Sequence, residues 1–309
     1  MITQPLRIGT RASKLALAQS GLIRDRIALA LPDAAVSLAH ITTSGDRIQD
    51  RTLTEIGGKG LFTKEIEAAL LSGRIDCAVH SLKDMPAESP PGLVIAAIPK
   101  REDPRDAIVS AACDSLDGLP LGARLGTASL RRQAQARHRR PDLQIVPLRG
   151  NVDTRLAKLE RGEADAILLA MAGLNRLGLG RLARGCIDPL ECPPAPGQGA
   201  LAIQTREADA DAPWLEGLRH RPTFLAVAAE RGALTALEGS CRTAIGAYAS
   251  LADGWLTLVA EALTPDGARR FRREGRIQIG EQGGELAAHE LGLRLGAEIH
   301  AEAGEALVG

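Results

Sequence analysis

At 309 residues the chain exceeds the size of one ordinary domain and is long enough to bury two or three separate cores. Lys plus Arg equal Asp plus Glu at 38 each and aromatic residues make up 2%, which excludes a protein that coats nucleic acid through a basic field and stacked rings. Any anion binding must come from local clusters of arginine. The five cysteines are odd in number and lack Cys-x-x-Cys spacing, so reduced thiols are expected rather than disulfides or a metal centre. Met1 to Thr10 contains no basic segment leading into an apolar run, so no secretory signal is expected; the longest apolar stretch, Ile167 to Leu174, is far too short to span a bilayer.

In chain order, Leu6 to Thr10 reads as a strand and Lys14 to Leu31 as an amphipathic helix with Leu15, Ala18, Leu22 and Leu29 on one stripe, ended by Pro32. Ala34 to Thr42 reads as a second strand. Gly57-Gly58-Lys59-Gly60 fails as a phosphate loop, because Gly60 replaces the hydroxyl residue that would hold magnesium and Leu53 stands where a further glycine is needed. Phe62 to Leu71 is helix-like and closes at Gly73, and a buried-looking strand, Ile75 to Val79, then stops abruptly in His80-Ser81-Leu82-Lys83-Asp84 before Pro86. Open α/β sheets bind ligands at the carboxyl ends of their strands, which singles out Asp84. Taken locally, Lys83-Asp84 is an ordinary solvated turn, and His80 reads as a strand-end residue rather than a metal ligand.

Leu93 to Ile98 and Ala107 to Ser110 continue an alternation of strands and helices typical of a mostly parallel sheet, with Lys100 to Asp106 as a polar crossover between two lobes. Leu70-x-x-Gly73-x-x-Asp76-x-Ala78-Val79 matches Leu159-x-x-Gly162-x-x-Asp165-x-Ile167-Leu168, a weak repeat that two similarly built α/β lobes would explain. Pro193 to Gly199 reads as the return crossing, so two crossings would form a double hinge around a cleft. Gly178-Leu-Gly180 follows a helix rather than a strand and fails the dinucleotide context. After about residue 220, Thr243 to Ala249, Trp255 to Ala262 and Arg269 to Ile279 alternate as half-exposed strands with a turn at Pro265-Asp266-Gly267, and Glu285 to Ala303 reads as a terminal helix.

Arginines recur at strand ends and helix starts: Arg11 with Ser13, Arg131 and Arg132 after Thr127 and Ser129, Arg149 and Arg155 around Gly150, and Arg176. Each alone reads as a surface residue. Together, with helix amino termini supplying N–H donors, they point to a cleft for a polyanion. Cys241, in Leu237-Glu-Gly-Ser-Cys241-Arg242, is either a half-buried inert thiol or a nucleophile whose pKa Arg242 lowers. On these readings alone, a two-lobed anion binder without catalysis remains a rival to an enzyme.

These segments together resemble the porphobilinogen deaminase (hydroxymethylbilane synthase) family. The resemblance is carried by Gly9-Thr-Arg-x-Ser13, Gly57-Gly-Lys-Gly-Leu-Phe62, His80-Ser-Leu-Lys-Asp84, Arg101-Glu-Asp-Pro-Arg-Asp106, Gly126-Thr-x-Ser-Leu-Arg-Arg132, Leu148-Arg-Gly-Asn151, Ala170-x-Ala-Gly-Leu174, Gly197-Gln-Gly199 and Leu237-Glu-Gly-x-Cys241, in order along the chain. It implies an α/β fold of two periplasmic-binding-protein-like lobes joined by a double hinge, plus a small α+β third domain. The expected domains are 1–99 with 200–219, then 100–199 with the hinge crossings, then 220–309 carrying the cofactor cysteine.

The resemblance further implies head-to-tail polymerisation of four porphobilinogen molecules into a linear tetrapyrrole with loss of ammonia. The primer would be a dipyrromethane bound as a thioether to Cys241, with Asp84 as the catalytic carboxylate. Ser81, Lys83, Asp84, Thr127, Ser129, Arg131, Arg132 and Gly150 would hold this cofactor. Arg11, Ser13, Gln19, Arg149, Arg155 and Arg176 would hold substrate or the growing oligopyrrole, and Lys59 and Phe62 would lie on a lid. No metal, nucleic acid or membrane partner is implied; a cytoplasmic monomer handing its product to uroporphyrinogen-III synthase is expected. One departure is Glu55, where many members carry lysine before the Gly-Gly-Lys-Gly turn; it reads as a solvated lid residue.

Overall fold

The structure, a computed structural model, describes residues 5–44, 63–237 and 243–307. Along the first part run β1 (Leu6–Thr10), α1 (Lys14–Ala30), β2 (Val36–His40), α2 (Lys64–Leu71), β3 (Cys77–Ser81) and β4 (Leu93–Ala97). Next come β5 (Asp106–Ser110), β6 (Arg124–Gly126), α3 (Leu130–Arg139), β7 (Gln144–Val146), α4 (Val152–Glu160), β8 (Ala166–Ala170), α5 (Met171–Arg176) and β9 (Gly185–Cys186). The chain ends with β10 (Leu201–Arg206), α6 (Arg221–Leu237), β11 (Ala244–Ala252), β12 (Trp255–Leu263), β13 (Arg270–Gln278) and α7 (Glu285–Ala303).

Two compact units result. Residues Met1–Glu102 with Ala200–Phe224 form one, and Asp103–Gly199 with Leu225–Gly309 form the other. The first unit holds a sheet in the order β2-β1-β3-β10-β4, and the second holds β7-β6-β8-β5-β9 and an antiparallel meander β11-β12-β13. In each five-stranded sheet the strand next to last in this order, β10 or β5, runs antiparallel to both neighbours, while the other strands share one direction. The mostly parallel α/β sheets expected from the alternation are therefore present, each with one reversed strand.

The repeat has a physical basis. α2 closes at Gly73 with φ +70° and α4 at Gly162 with φ +73°, the left-handed region where glycine carries no steric cost. Asp76 then accepts from the Arg7 backbone N–H (2.8 Å) and its guanidinium, and Asp165 accepts from Arg124 N–H (2.7 Å) and its guanidinium in the same way. Each aspartate thus ties the turn before a central strand to the start of the neighbouring one, β1 or β6.

α1 spans the expected residues with Ser13 as its N-cap, Oγ accepting from Ala16 N–H (3.3 Å). Its inward face is a correction: Gln19, Ser20, Ile23 and Ile27 are buried, whereas Leu22 and Leu29 from the expected stripe are 39% and 82% exposed. Two of the four buried positions are polar, so an apolar count misplaces the face. In the second unit α6 and α7 approach until backbone touches backbone. A Cβ on Gly292 would stand 2.0 Å from the Ala229 carbonyl oxygen, and one on Gly232 2.2 Å from that of His289. The β11–β12 hairpin turns at Asp253 and Gly254, φ +50° and +75°, the two-residue geometry that matches strand twist.

Gly21, inside α1, has nothing within 4 Å of an added Cβ. Gly21→Ala is therefore expected to stabilise the first unit by about 0.4–1 kcal/mol, and Gly292→Ala to destabilise the second by about 1–3 kcal/mol despite the same gain in helix propensity. Denaturant melts of the two variants check this; changes of the same sign would contradict it.

Candidate functional site

In the first unit β1 and β3 are parallel neighbours, so their carboxyl ends lie along one edge of the sheet. β3 continues through His80 and Ser81, two residues past the expected end, and passes into a 3-10 turn at Leu82–Asp84. Leu82 and Met85 are 1% and 5% exposed and anchor the turn, whose Leu82 N–H donates to Ala200 O (3.0 Å); between the anchors Lys83 and Asp84 face outward. From the β1 end, Gln19 reaches across and its Nε2 donates to Ser81 Oγ (2.8 Å). Arg11, Gln19, His80, Ser81 and Asp84 line one cavity of about 40 Å³, floored by Ile66 and Val79. Of the sequence candidates, Arg11, Gln19, Ser81 and Asp84 are thus brought together, while Lys83 is exposed outside this lining and Ser13 serves as the cap of α1.

His80 is buried, and its Nε2 lies 3.1 Å from Gln204 Oε1. The amide oxygen makes Nε2 the protonated nitrogen. Burial, with the positive charge of Arg11 adding to it, pushes the imidazole pKa down from 6.5 to about 4 against the opposing hydrogen bond that His80 donates to Gln204. A neutral ring therefore sits beneath Asp84 at neutral pH.

The second unit builds a different arrangement after β6. Thr127 is buried, and its Oγ1 accepts from Ser129 N–H (3.2 Å); Ser129 caps α3, accepting from Arg132 N–H. Arg131 and Arg132 follow, each 5% exposed, and both turn inward onto Asp106 at the start of β5. Arg131 Nη1 donates to Asp106 Oδ2 (2.8 Å), while Arg132 Nε and Nη2 donate to Oδ1 (3.1 and 2.7 Å) and its Nη1 to Leu168 O (2.9 Å). Gln198, from the second crossing, adds a donor to Oδ1 (2.8 Å). Burial alone would raise the Asp106 pKa; the two guanidinium charges outweigh it and hold the carboxyl well below the usual range. The pair read from sequence as open grips is largely committed to this carboxylate. Arg131 keeps one edge: all its protein contacts fall on Nη1, and no acceptor among the described residues meets Nη2.

Gly150 has φ +113°, and a Cβ there would stand 2.7 Å from the Thr154 methyl group. Next to it Asn151 caps α4 through Thr154 N–H (2.9 Å), Arg155 Nε donates to Gly150 O (2.8 Å), and Arg149 is exposed. Arg176, at the end of α5, donates from Nη2 to Gly199 O (2.7 Å). Cys241, Lys59, Phe62 and Glu55 lie outside the described residues.

Sequence reasoning missed the inner partners. In the sequence Asp106 reads as part of a polar crossover, although it directly precedes the apolar run Ala107 to Ser110; Gln135 and Glu261 give no local signal, and Gln198 appears only within the Gly197-Gln-Gly199 motif.

The unfolded chain takes up a proton on His80 near pH 6.5, and the folded chain only near pH 4. Stability is therefore expected to fall on acidification through that window, by at most about 3 kcal/mol from this residue. Thermal melts between pH 7 and 4.5 should show a shallower slope for His80→Gln than for the unmodified protein; equal slopes would remove His80 as a contributor.

Two family models cover the chain: "Porphobilinogen deaminase, dipyromethane cofactor binding domain" over residues 6–213 and "Porphobilinogen deaminase, C-terminal domain" over 224–301. Among curated relatives, a porphobilinogen deaminase of Caulobacter vibrioides is 68% identical over 314 residues, 98% of each chain. Those of Caulobacter sp. strain K31 (66%; 100% of this chain, 99% of the relative) and Phenylobacterium zucineum (63%; 100% of both) are similar to the same extent. Solved structures that resemble part of the chain include the methionine-binding protein MetQ, at TM-score 0.43 and 15% identity over 69% of this chain and 87% of that one. That likeness is too slight to carry weight, and the architecture rests on the strand orders above. Matched over nearly its whole length by both models and by close relatives, the chain belongs to the porphobilinogen deaminase family.

Proposed function

We propose that Asp84 is the catalytic carboxylate of porphobilinogen polymerisation and that Cys241 carries the dipyrromethane primer as a thioether. Family membership makes the chain a deaminating transferase that joins porphobilinogen units into a linear tetrapyrrole. The observation carrying the residue assignment is the exposed Asp84 carboxylate, fixed between two buried anchors and sharing a cavity with Arg11, Gln19 and Ser81.

The residues of the second unit suit a pyrrole pair that bears several carboxylates. Arg131 retains an edge with no acceptor among the described residues, Ser129 stands at the α3 amino terminus, and Arg149 is exposed. When bound, the primer would supply the carbon nucleophile that starts the chain. Asp84 would accept hydrogen bonds from pyrrole N–H groups and offset the positive charge that develops on the substrate as ammonia leaves. Its oxygen could also pass a proton to the departing amine. Arg11, Ser13, Gln19, Arg149, Arg155 and Arg176 would hold incoming acetate and propionate groups, with Lys59 and Phe62 on a lid. Thr127, Ser129, Arg131, Arg132 and Gly150 would hold the primer with Ser81 and Lys83. Cys77 is fully buried with its thiol pKa pushed up by burial, and Cys113 donates to Gly118 O (2.9 Å), which leaves both poorly suited to the thioether.

The same reading assigns residues 220–309 to a domain carrying Cys241, and makes the protein a cytoplasmic monomer that passes its product to uroporphyrinogen-III synthase. The free thiols at Cys77, Cys113, Cys186 and Cys192 are in keeping with a reducing compartment.

Asp84→Asn should fold, carry the primer and lose about a hundred- to a thousandfold in turnover, because the amide matches the carboxylate in shape without its charge. Single-turnover ammonia release checks this; a rate within about threefold of the unmodified enzyme would take Asp84 out of the mechanism. Cys241→Ala should fold without any pyrrole adduct, and persistence of the adduct in that variant would move the attachment elsewhere.

A further inference from the structure

Arg131 does not settle onto Asp106 unaided. Its Nη1 also donates to Gln135 Oε1 (2.8 Å), one helical turn along α3, and makes a longer contact with Pro193 O (3.4 Å). Gln135 cannot turn its amide round. Its Nε2 donates to two acceptors at once, Pro193 O (2.8 Å) and Glu261 Oε1 (2.7 Å), so reversal would set oxygen against oxygen twice. The oxygen end therefore always faces Arg131.

Glu261 is in turn fixed from β13. Its side chain is 1% exposed, and Oε2 accepts from Arg270 Nε (2.8 Å) and Nη2 (2.6 Å), with Arg272 Nη1 at 3.5 Å. A carboxylate buried to this degree holds its charge only with such partners. The result is an unbroken chain of hydrogen bonds from the three-stranded sheet to the guanidinium at the start of α3: Arg270, Glu261, Gln135, Arg131, Asp106. Every acceptor that meets Arg131 in it engages Nη1, which leaves Nη2 without one among the described residues.

We infer that Gln135 and Glu261 are positioning residues: they hold Arg131 by Nη1 so that its Nη2 edge is presented to a carboxylate of the bound primer. This rests on the reading of Arg131 as a primer-binding residue. Through the buried Glu261 of β12, acting on Gln135 of α3, the three-stranded sheet thereby contributes to primer binding. A cavity of about 540 Å³ borders the outer side of the relay at Gln135, Glu261, Arg270 and Cys192, so Gln135 can be replaced by a side chain of similar size without forced overlap.

The test is a double-mutant cycle on the full-length chain prepared without primer. Gln135→Leu, Arg131→Leu and the double variant are given porphobilinogen, and gain of the two-pyrrole adduct is followed by intact mass, with a thermal melt of each protein. Gln135→Leu is expected to slow adduct formation about tenfold, the worth of one charge-assisted hydrogen bond, and the double variant to be no slower than Arg131→Leu alone. A purely structural role would shift the melt without such masking. Normal adduct formation by Gln135→Leu, or losses that multiply in the double variant, would overturn the relay while leaving Arg131 in place. Normal adduct formation by Arg131→Leu would overturn the underlying reading as well. Should Arg131→Leu not fold, Arg131→Lys, which keeps a charge beside Asp106, replaces it in the cycle with the same expected outcomes.

Discussion

The second unit depends on one buried carboxylate. Asp106 opens β5 at 4% exposure and receives two arginines, with Gln198 as a further donor. An ion cluster of this kind contributes little net stability over an apolar core, but stranding one of its charges costs about 3–5 kcal/mol. Its value lies in fixing geometry. The carboxylate ties the first turn of α3 to β5 and to the Pro193–Gly199 segment, and the same segment is held from the other side by the buried Glu230, which accepts from Gly197 N–H (2.7 Å) and Ala249 N–H (2.9 Å). Residues distant in sequence are thus set by a few buried polar groups, each nearly saturated.

The first unit uses a lighter version of the same principle. There a neutral His80 and Gln204 lie under the strand end, and apolar anchors at Leu82 and Met85 leave the single acidic group, Asp84, outward. Charge is kept out of the interior and concentrated at the turn. A carboxylate so placed can meet a developing cation with little reorganisation, which is the condition for electrostatic catalysis.

Which parts of this were legible in the sequence follows from where polar residues are buried. β13 and α7 are readable because their residues divide between core and solvent, whereas β11 and β12, expected to be half-exposed, are buried along most of their length; the repeat is readable because glycine at a helix end and aspartate at a strand start each have one local job. Of α3 the sequence shows the amino terminus at Thr127 to Ser129 but not the buried face, since that face consists of Arg131, Arg132 and Gln135 alongside Ala134 and Ala136, the reverse of an apolar stripe. α6 went unmarked for the opposite reason: Phe224 to Ala229 is apolar on every side, and Gly232 reads as a breaker until α7 is seen to need the space. Its place at a strand end is what singles out Asp84 in the sequence, whereas Asp106 reads as linker because burial of a charge has no signature without its partners. The roles of individual residues came through the family resemblance, carried by motifs spread along most of the chain.

On the proposed reading this chain grows a pyrrole polymer on itself. Intact mass of the purified, unmodified protein during stepwise addition of porphobilinogen tests it most directly. The expected result is a starting mass above that of the polypeptide by two pyrrole units, followed by discrete species one ring heavier at each step until the tetrapyrrole is released. A protein that stays at the bare polypeptide mass throughout would contradict it.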